Sequence, residues 1–479
     1  MKTSSFFSYI TNRIGKSRVL SGALLLTAAG IISRIIGFFY RIFLSRTFGA
    51  ENMGIYQLIG PVMALAYSVS VAGFQTAVSR ITATAGAVKS SAGTITKNRK
   101  KTISASGDLR SFNVLAAGML LSLSFSLGIS FFVYFYSEEI ASRFLLEMRC
   151  APLLKILALS FPVSSIHSCV SGYFYGKKSA GFPALSQLFE QFVRVGSVLL
   201  LCNTHLTEGT GKAPDISLAV TGMVIGEITS AILSLLYLWR CFQKESSLTG
   251  LSGEFSTPKN AFSILSLFPE LFMLAIPLSA GRVIQNFLQS IEAIAIPERL
   301  RMFGMDNAAA LSEYGILTGM SLPFILFPTA LTGSIAVMLL PTVSEAQALH
   351  QEYTIAKAVR RSVHYCLLLG FACLIFFLFF GPVLGRFVFH HDKAGSYLQT
   401  LGFMCPFLYM NSTLSSILHG LGKTIRSFFY SVASLLLRLA FVFAAIPNVG
   451  IKGYLWALLA SQILLSALQV FALRRYLKM

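Results

Sequence analysis

Residues 362–385 read SVHYCLLLGFACLIFFLFFGPVLG, a run without a single Lys, Arg, Asp or Glu. A hydrocarbon core about 30 Å thick is crossed by a helix of about 20 apolar residues, so this run is long enough to span a membrane. It does not stand alone. Working outward in both directions gives twelve such candidates, starting with 19–44 and 54–79, passing through 182–203, 271–296 and 315–341, and ending with 427–446 and 453–473. Of the 479 residues, 54% are hydrophobic and only 12% charged, about half the charged share with which soluble domains cover their surfaces. That deficit excludes the string of soluble domains that the length alone would allow. The expected fold class is an all-α integral membrane protein of about twelve transmembrane helices.

The net charge is +20, from 39 Lys plus Arg against 19 Asp plus Glu, and a nucleic-acid binder carries a similar excess. Position separates the two readings. Short loops rich in Lys and Arg stay cytoplasmic, and with the N-terminus inside, twenty-four of the 39 basic residues fall in inner segments and nine in outer loops. Every inner segment then holds at least two. The basic excess therefore marks cytoplasmic loops, both termini are expected inside, and nucleic acid is not a partner. The first run follows a basic leader (Lys2, Arg13, Lys16, Arg18) and continues through Phe38 and Phe43 without a small-residue cleavage site, so it reads as a retained helix. Seven scattered cysteines without a C-x-x-C spacing suggest neither a disulfide framework nor a metal site.

Two segments differ in composition. Ala83 to Gly107 is rich in Ser, Thr, Gly and Lys and reads as a flexible cytoplasmic loop, and Cys241 to Asn260 reads as a linker. The linker divides the chain into an N-terminal six-helix lobe (1–240), a cytoplasmic connection (241–262) and a C-terminal six-helix lobe (263–479). Across it, Pro162, Ser168, Ser171, Gly176 and Arg194 recur at a constant offset of 244 as Pro406, Ser412, Ser415, Gly420 and Arg438. A fainter echo joins Gly54-Ile55 to Gly315-Ile316. Copies six spans apart share one orientation, as in the parallel halves of some secondary transporters, which rock about a central cavity.

Charges inside spans cost at least about 3 kcal/mol at the bilayer centre, so those present mark candidate function. Gly30, Arg34, Gly37 and Arg41 form one helical stripe; Gln187, Glu190, Gln191 and Arg194 form a second; Arg282, Gln285, Gln289 and Glu292 form a third, with Asn286 beside it. Glu190 and Arg194 are an i, i+4 pair in the favourable order. Arg438 has no opposite charge one turn away. Three such stripes are expected to line a shared wet cavity, with Arg34, Arg41, Glu190, Arg194, Arg282, Gln285, Gln289, Glu292 and Arg438 as its substrate-binding residues. Lys155 lies near a span end and is expected to snorkel, and His167 and His364 to be packed or hydrogen-bonded. Arginine exceeds glutamate in these spans, and its planar fork suits phosphate or carboxylate, so an anionic cargo is expected.

Pro61, Pro162, Pro277, Pro323, Pro328 and Pro406 fall inside spans, where each removes a helical hydrogen bond and kinks the helix, as suits alternating access. No G-x-x-x-x-G-K-[ST] loop, nucleophile elbow or cofactor motif is present, so energy is expected from an ion gradient, the membrane potential or the substrate itself. The chain is not expected to be an enzyme.

Four motifs of the first half, Ser33-Arg34-Ile35-Ile36-Gly37-Phe38 with Arg41, Gly54-Ile55-Tyr56-Gln57-Leu58, Gly172-Tyr173-Phe174-Tyr175-Gly176, and Glu190-Gln191 with Arg194, resemble those of the stage V sporulation protein B group of polysaccharide transporters, in the multidrug/oligosaccharidyl-lipid/polysaccharide flippase (MOP) superfamily. The likeness continues through Ile296-Pro297 with Arg299-Leu300, Leu317-Thr318-Gly319-Met320, Leu340-Pro341 with Ser344-Glu345-Ala346, and Gly420-Leu421-Gly422-Lys423-Thr424, in collinear order over nearly the whole chain. The resemblance implies two six-helix lobes around a V-shaped cavity and the movement of undecaprenyl-pyrophosphate-linked saccharides, lipid II and related peptidoglycan precursors among them, across the cytoplasmic membrane. It also implies that Arg34 and Arg41, and by a looser match Arg282, engage the pyrophosphate.

The expected protein is thus a flippase acting as a monomer on a lipid-linked oligosaccharide in the bilayer. A drug or small-metabolite cation antiporter of the same superfamily shares the fold and kinks, but the arginine excess argues against it. A cell-wall polymerase would need a constellation of outer acids that Glu138, Glu139 and Asp306 do not form. The charge phase predicts that a cysteine placed at Ser90 stays unlabelled by an impermeant maleimide added to intact cells, while one at Glu138 is labelled. Labelling at Ser90 contradicts the topology.

Overall fold

The computed structural model describes residues 18–91, 97–207, 214–249 and 264–477, which are helical throughout apart from short turns, with no strand among them. Hydrocarbon offers backbone amides no partner, so a spanning chain satisfies them within its own helices. Nine described stretches are long and apolar enough to cross a membrane, and eleven if each of two bent pairs forms one span. The first stretch, Leu25–Thr84, has 60 residues, which at 1.5 Å each is about three times the hydrocarbon thickness. It breaks at Gly49, whose φ of 78° is open to glycine alone without strain. Dividing it there gives the two expected spans and a total of twelve. Outward faces carry large apolar side chains, with Met273 80% and Phe379 75% exposed. Such surfaces suit lipid rather than water.

Prolines mark where helices restart. The fourth span is Cys150–Ala158 followed by Ser160–Gly176 at 41°, and the tenth is Asp392–Gly402 followed by Cys405–Gly420 at 57°. Pro162 and Pro406 sit in the first turns of the second pieces. There the missing amide costs nothing, because the first-turn amides have no intrahelical acceptor. Pro61 likewise begins Gly60–Ser70, Pro323 begins Leu322–Leu326 and Pro328 caps Thr329–Ala348. Only Pro277, of the six expected kink prolines, lies in a helix interior. The eighth span, expected at 315–341, runs instead through Asn307–Gly315, a π-helical turn at Ile316–Ser321, Leu322–Leu326 and Thr329–Ala348.

The stretch Ala83 to Gly107 departs from the expected loop. Helix Ala72–Ser91 runs into it and helix Lys97–Phe135 begins within it, leaving only 92–96 outside the described residues. Extending an existing helix costs far less than nucleating one, and alanines and lysines propagate it readily. By the same logic the sixth span, Ser217–Thr249, continues through the first part of the expected linker, whose remainder lies outside the described residues.

Glycines let helices approach. A Cβ on Gly172 would meet the Gln75 carbonyl, and one on Gly176 would lie 2.6 Å from the Ser79 oxygen, so this GxxxG stripe seats the fourth span on the second. The same device joins the halves. A Cβ on Gly315 would lie 2.6 Å from the Gly54 nitrogen, and one on Gly54 would lie 2.9 Å from the Leu311 carbonyl carbon. The two echoed glycines therefore face one another. The seventh span, Phe268–Met302, forms the second join: Ala275 packs against Gly73, Arg282 donates to the Ala72 oxygen (3.3 Å), and Asn286 to the Ala64 oxygen (3.1 Å).

At the end that the charge pattern assigns to the outside, Arg46 donates to the Val388 and Phe387 oxygens at 2.7 and 2.5 Å. Glu147, 6% exposed, accepts from Asn307 at 2.7 Å and pairs with Arg149 at 2.8 Å, and Arg149 reaches Glu51 at 2.6 Å. Burial would raise the Glu147 carboxyl, but the hydrogen bonds from Arg149 and Asn307 outweigh it and hold it below its ordinary value. This bridge therefore contributes above about pH 4.3, the ordinary glutamate value, and is lost only as the pH falls through the lower folded value.

The main-chain contact between halves predicts that Gly54→Val and Gly315→Val each destabilise the purified chain by about 3 kcal/mol, the upper range for overpacking. Gly30→Ala, where a Cβ meets nothing within 4 Å, should be neutral or better. Thermal unfolding in detergent checks this, and equal midpoints for all three variants contradict it.

Candidate functional site

Each lobe encloses a cavity of about 330 Å³. The N-terminal one is walled by the second span (Met63, Tyr67, Gln75), the fourth (Ser164, His167, Ser168, Ser171, Tyr175), the fifth (Gln187, Glu190, Arg194) and Glu227 of the sixth. These side chains converge because Gly172 and Gly176 bring the second and fourth spans together, while Gly226, whose Cβ would lie 3.0 Å from the Glu190 oxygen, admits the fifth. Arg194 donates to Glu190 at 2.6 Å. Glu227, 8% exposed, accepts a short hydrogen bond from Ser164. His167 is tied through Nδ1 to Ser234 (2.8 Å) and Ser230 (3.1 Å). The wall thus holds two carboxylates against one guanidinium.

The C-terminal cavity is more apolar, lined by Ile296, Leu322, Leu326, Met404, Leu408 and Leu458, with Gln289, Glu292, Arg438, Tyr454 and Gln462 at its polar part. Glu292, 4% exposed, accepts from Arg438 Nη2 at 2.6 Å and from the Tyr454 hydroxyl at 2.7 Å. Arg438 Nε lies 2.5 Å from Oε1, a charge contact without hydrogen-bond alignment. Arg438 thus finds across space the partner that its own helix lacks. Burying either charge alone would be strongly unfavourable, and the pair with its tyrosine satisfies both. Arg194 and Arg438, related by the offset of 244, each stand on the fifth helix of a lobe, beside that lobe's cavity and paired with a glutamate.

The nine expected site residues do not converge on one wall. Glu190 and Arg194 line the N-terminal cavity; Gln289, Glu292 and Arg438 line the C-terminal one; Arg34, Arg41, Arg282 and Gln285 line neither. The third stripe splits because helical positions 282, 286 and 290 face the carbonyls of the second span while 289 and 292 turn toward the C-terminal cavity. Arg34, Arg41 and Arg282 are exposed. Gly37, on the first stripe, packs against Gln191 of the fifth span, and Arg34 Nη1 lies 3.9 Å from where a Cβ on Gly333 of the opposite lobe would sit. Arg34 therefore stands between the lobes. Lys155 pairs with Glu138 at 3.0 Å near its span end. Glu227, Tyr67, Tyr175 and Tyr454 complete the walls; an acid inside the sixth apolar run is the signal that could have found Glu227, whereas the tyrosines carry no signal that separates them from packing residues.

Comparison with known proteins agrees with this architecture. A family model described as polysaccharide biosynthesis protein matches residues 19–347, and a MatE model matches residues 283–444. Stage V sporulation protein B of Bacillus subtilis (strain 168) is 26% identical over 468 residues, covering 97% of this chain and 85% of that protein. The lipid II flippase MurJ of the same organism is 25% identical over 343 residues, 69% of this chain and 58% of MurJ. Among solved structures, an inward-facing multidrug resistance MATE family transporter of the MOP superfamily superposes with a TM-score of 0.67 at 14% identity, covering 95% of this chain and 98% of that one. Lipid II flippase MurJ in an inward closed conformation gives 0.65 at 16% identity, covering 94% and 87%. The fold is shared with solved transporters of the MOP superfamily, and the family model spans more than half of the chain: the chain belongs to the polysaccharide biosynthesis protein family.

Proposed function

We propose that this chain flips undecaprenyl-pyrophosphate-linked saccharides, a peptidoglycan precursor such as lipid II or another cell-envelope precursor, across the cytoplasmic membrane. The observation that carries the reading is the exposed arginine group of Arg34, Arg41 and Arg282 on the helices where the two lobes meet. Guanidinium groups grip pyrophosphate through paired, charge-assisted hydrogen bonds, and in a medium that resists lone charges, unneutralised arginines invite an anion. The Glu190–Arg194 and Glu292–Arg438 pairs are already neutralised, so they hold the lobe cavities in shape and leave pyrophosphate binding to the exposed three. Gln285 and Gln289 offer amide contacts along the same helix. Rocking of the lobes about the Gly54–Gly315 contact exposes the bound headgroup to one side and then the other, driven by an ion gradient or the membrane potential. In this reading the protein is a monomer with both termini cytoplasmic.

A cation antiporter is the second reading, favoured by the surplus carboxylate of the N-terminal cavity and by the MATE-like fold. Substitution separates the two. Arg34→Ala and Arg282→Ala should each weaken binding and transport of a pyrophosphate-linked lipid by about tenfold at matched membrane abundance, the worth of one charge-assisted bond. The Lys variants should recover only part, since lysine keeps the charge and loses the fork. Near-normal transport by both Ala variants contradicts the anion grip and favours the antiporter.

A further inference from the structure

The two lobe cavities occupy repeat-related places but differ in what their walls leave open. At the offset of 244, His167 corresponds to Asn411 and Ser171 to Ser415. In the C-terminal lobe these polar groups are consumed internally. Asn411 donates to Gln462 at 2.8 Å and accepts from Ser466 at 2.7 Å, and Gln469 donates to Ser415 at 2.7 Å. In the N-terminal lobe the Ser171 hydroxyl, on a residue 3% exposed, has no hydrogen-bond partner among the described residues, whereas Arg194 Nε and Arg438 Nε are alike in having none. Ser164, which holds Glu227, corresponds to Leu408, and Gln187, exposed at the cavity, to Ser431.

An unpaired hydroxyl in so dry a place is a cost that a ligand's own polar group removes. The ligand's chemistry follows from the wall. The Glu190 and Glu227 carboxylates accept, Ser171 and Arg194 donate, and Gln187 does both, while Tyr67 and Tyr175, each 36% exposed, add aromatic rings to the wall. A pyranose ring carries the complement, with hydroxyls around its rim that donate and accept and C–H faces that rest on aromatic rings. A volume of about 330 Å³ is at the lower end for small-ligand sites, about 300 to 1,000 Å³.

We propose that the N-terminal cavity is a carbohydrate subsite that holds one sugar ring of the lipid-linked substrate while the exposed arginines hold its pyrophosphate. This rests on the flippase reading. The C-terminal cavity, whose wall is mostly aliphatic and which has Leu408 where the N-terminal one has Ser164, takes no sugar.

The test measures affinity of the purified full chain for undecaprenyl pyrophosphate and for a panel of undecaprenyl-pyrophosphoryl mono- and disaccharides. The wild type should bind at least one glycosylated lipid more tightly than the bare lipid. Ser171→Ala and Gln187→Leu should each reduce that preference by about fivefold, the worth of one hydrogen bond, with affinity for the bare lipid unchanged and thermal unfolding midpoints retained. Arg34→Ala should weaken both lipids alike. A wild type that binds lipid pyrophosphate with no preference across the panel overturns the subsite and leaves the flippase reading standing, whereas no binding of any of these lipids removes both. Intact preference in both folded variants also overturns it. Tetraphenylphosphonium serves as the competing probe: if its binding falls in these variants while sugar preference holds, the cavity is a cation site.

Discussion

Hydrocarbon supplies no hydrogen bonds and no counter-ions, and each distinctive feature of this chain answers that constraint. Backbone groups are satisfied by helices. Where a helix must change direction, it ends and restarts, with Pro162 and Pro406 placed in first turns that have no acceptor for their amide. Two carbonyls of the second span accept from side chains of the seventh, Ala72 from Arg282 and Ala64 from Asn286. Four of the intramembrane charges are paired, Glu190 with Arg194 and Glu292 with Arg438, and the buried Glu227 is held by a hydrogen bond from Ser164. Against that background the exposed Arg34 and Arg41 stand out as charges placed for something that arrives.

The halves meet at a backbone-to-backbone contact set within an apolar seam, where Phe38 packs on Phe324 and Phe327 at 4.4 and 5.0 Å between ring centroids. Gly54 and Gly315 bring two main chains into contact at a point where each half offers the same residue. At the glycines themselves the contact is rigid against approach and carries no side chain, which suits a pivot. The polar bridges, Arg46 to the carbonyls near Val388 and Glu147 to Asn307, tie the lobes at one end. Their few polar bonds are separable, unlike an interdigitated apolar core.

Much of this was legible in the sequence because membrane insertion writes its demands locally. Runs of about 20 apolar residues, basic residues in alternate loops, and a proline, a glycine and an arginine repeating at an offset of 244 each depend on short stretches of chain. What depends on distant stretches was not legible. The partner of Arg438 lies 146 positions away on the seventh span, and nothing near Arg438 announces it. The third polar stripe was read as one face, whereas a 35-residue helix packed between two neighbours sends residue 282 to the second span and residue 292 to the C-terminal cavity. Ala83 to Gly107 looked loop-like from its serines and glycines, yet a helix already begun in the membrane continues through them. The echo between Gly54 and Gly315 was visible as a repeat, but that the two glycines touch is a property of the assembled pair of lobes.

The central claim is that the arginines between the lobes serve a lipid-linked pyrophosphate. Its most direct measurement is translocation by the wild-type chain reconstituted into vesicles, following a fluorescent undecaprenyl-pyrophosphoryl saccharide with an impermeant quencher. The account predicts that this lipid crosses faster than in protein-free vesicles, and that a quaternary ammonium dye does not exchange against an ion gradient. Exchange of the dye without movement of the lipid would contradict it.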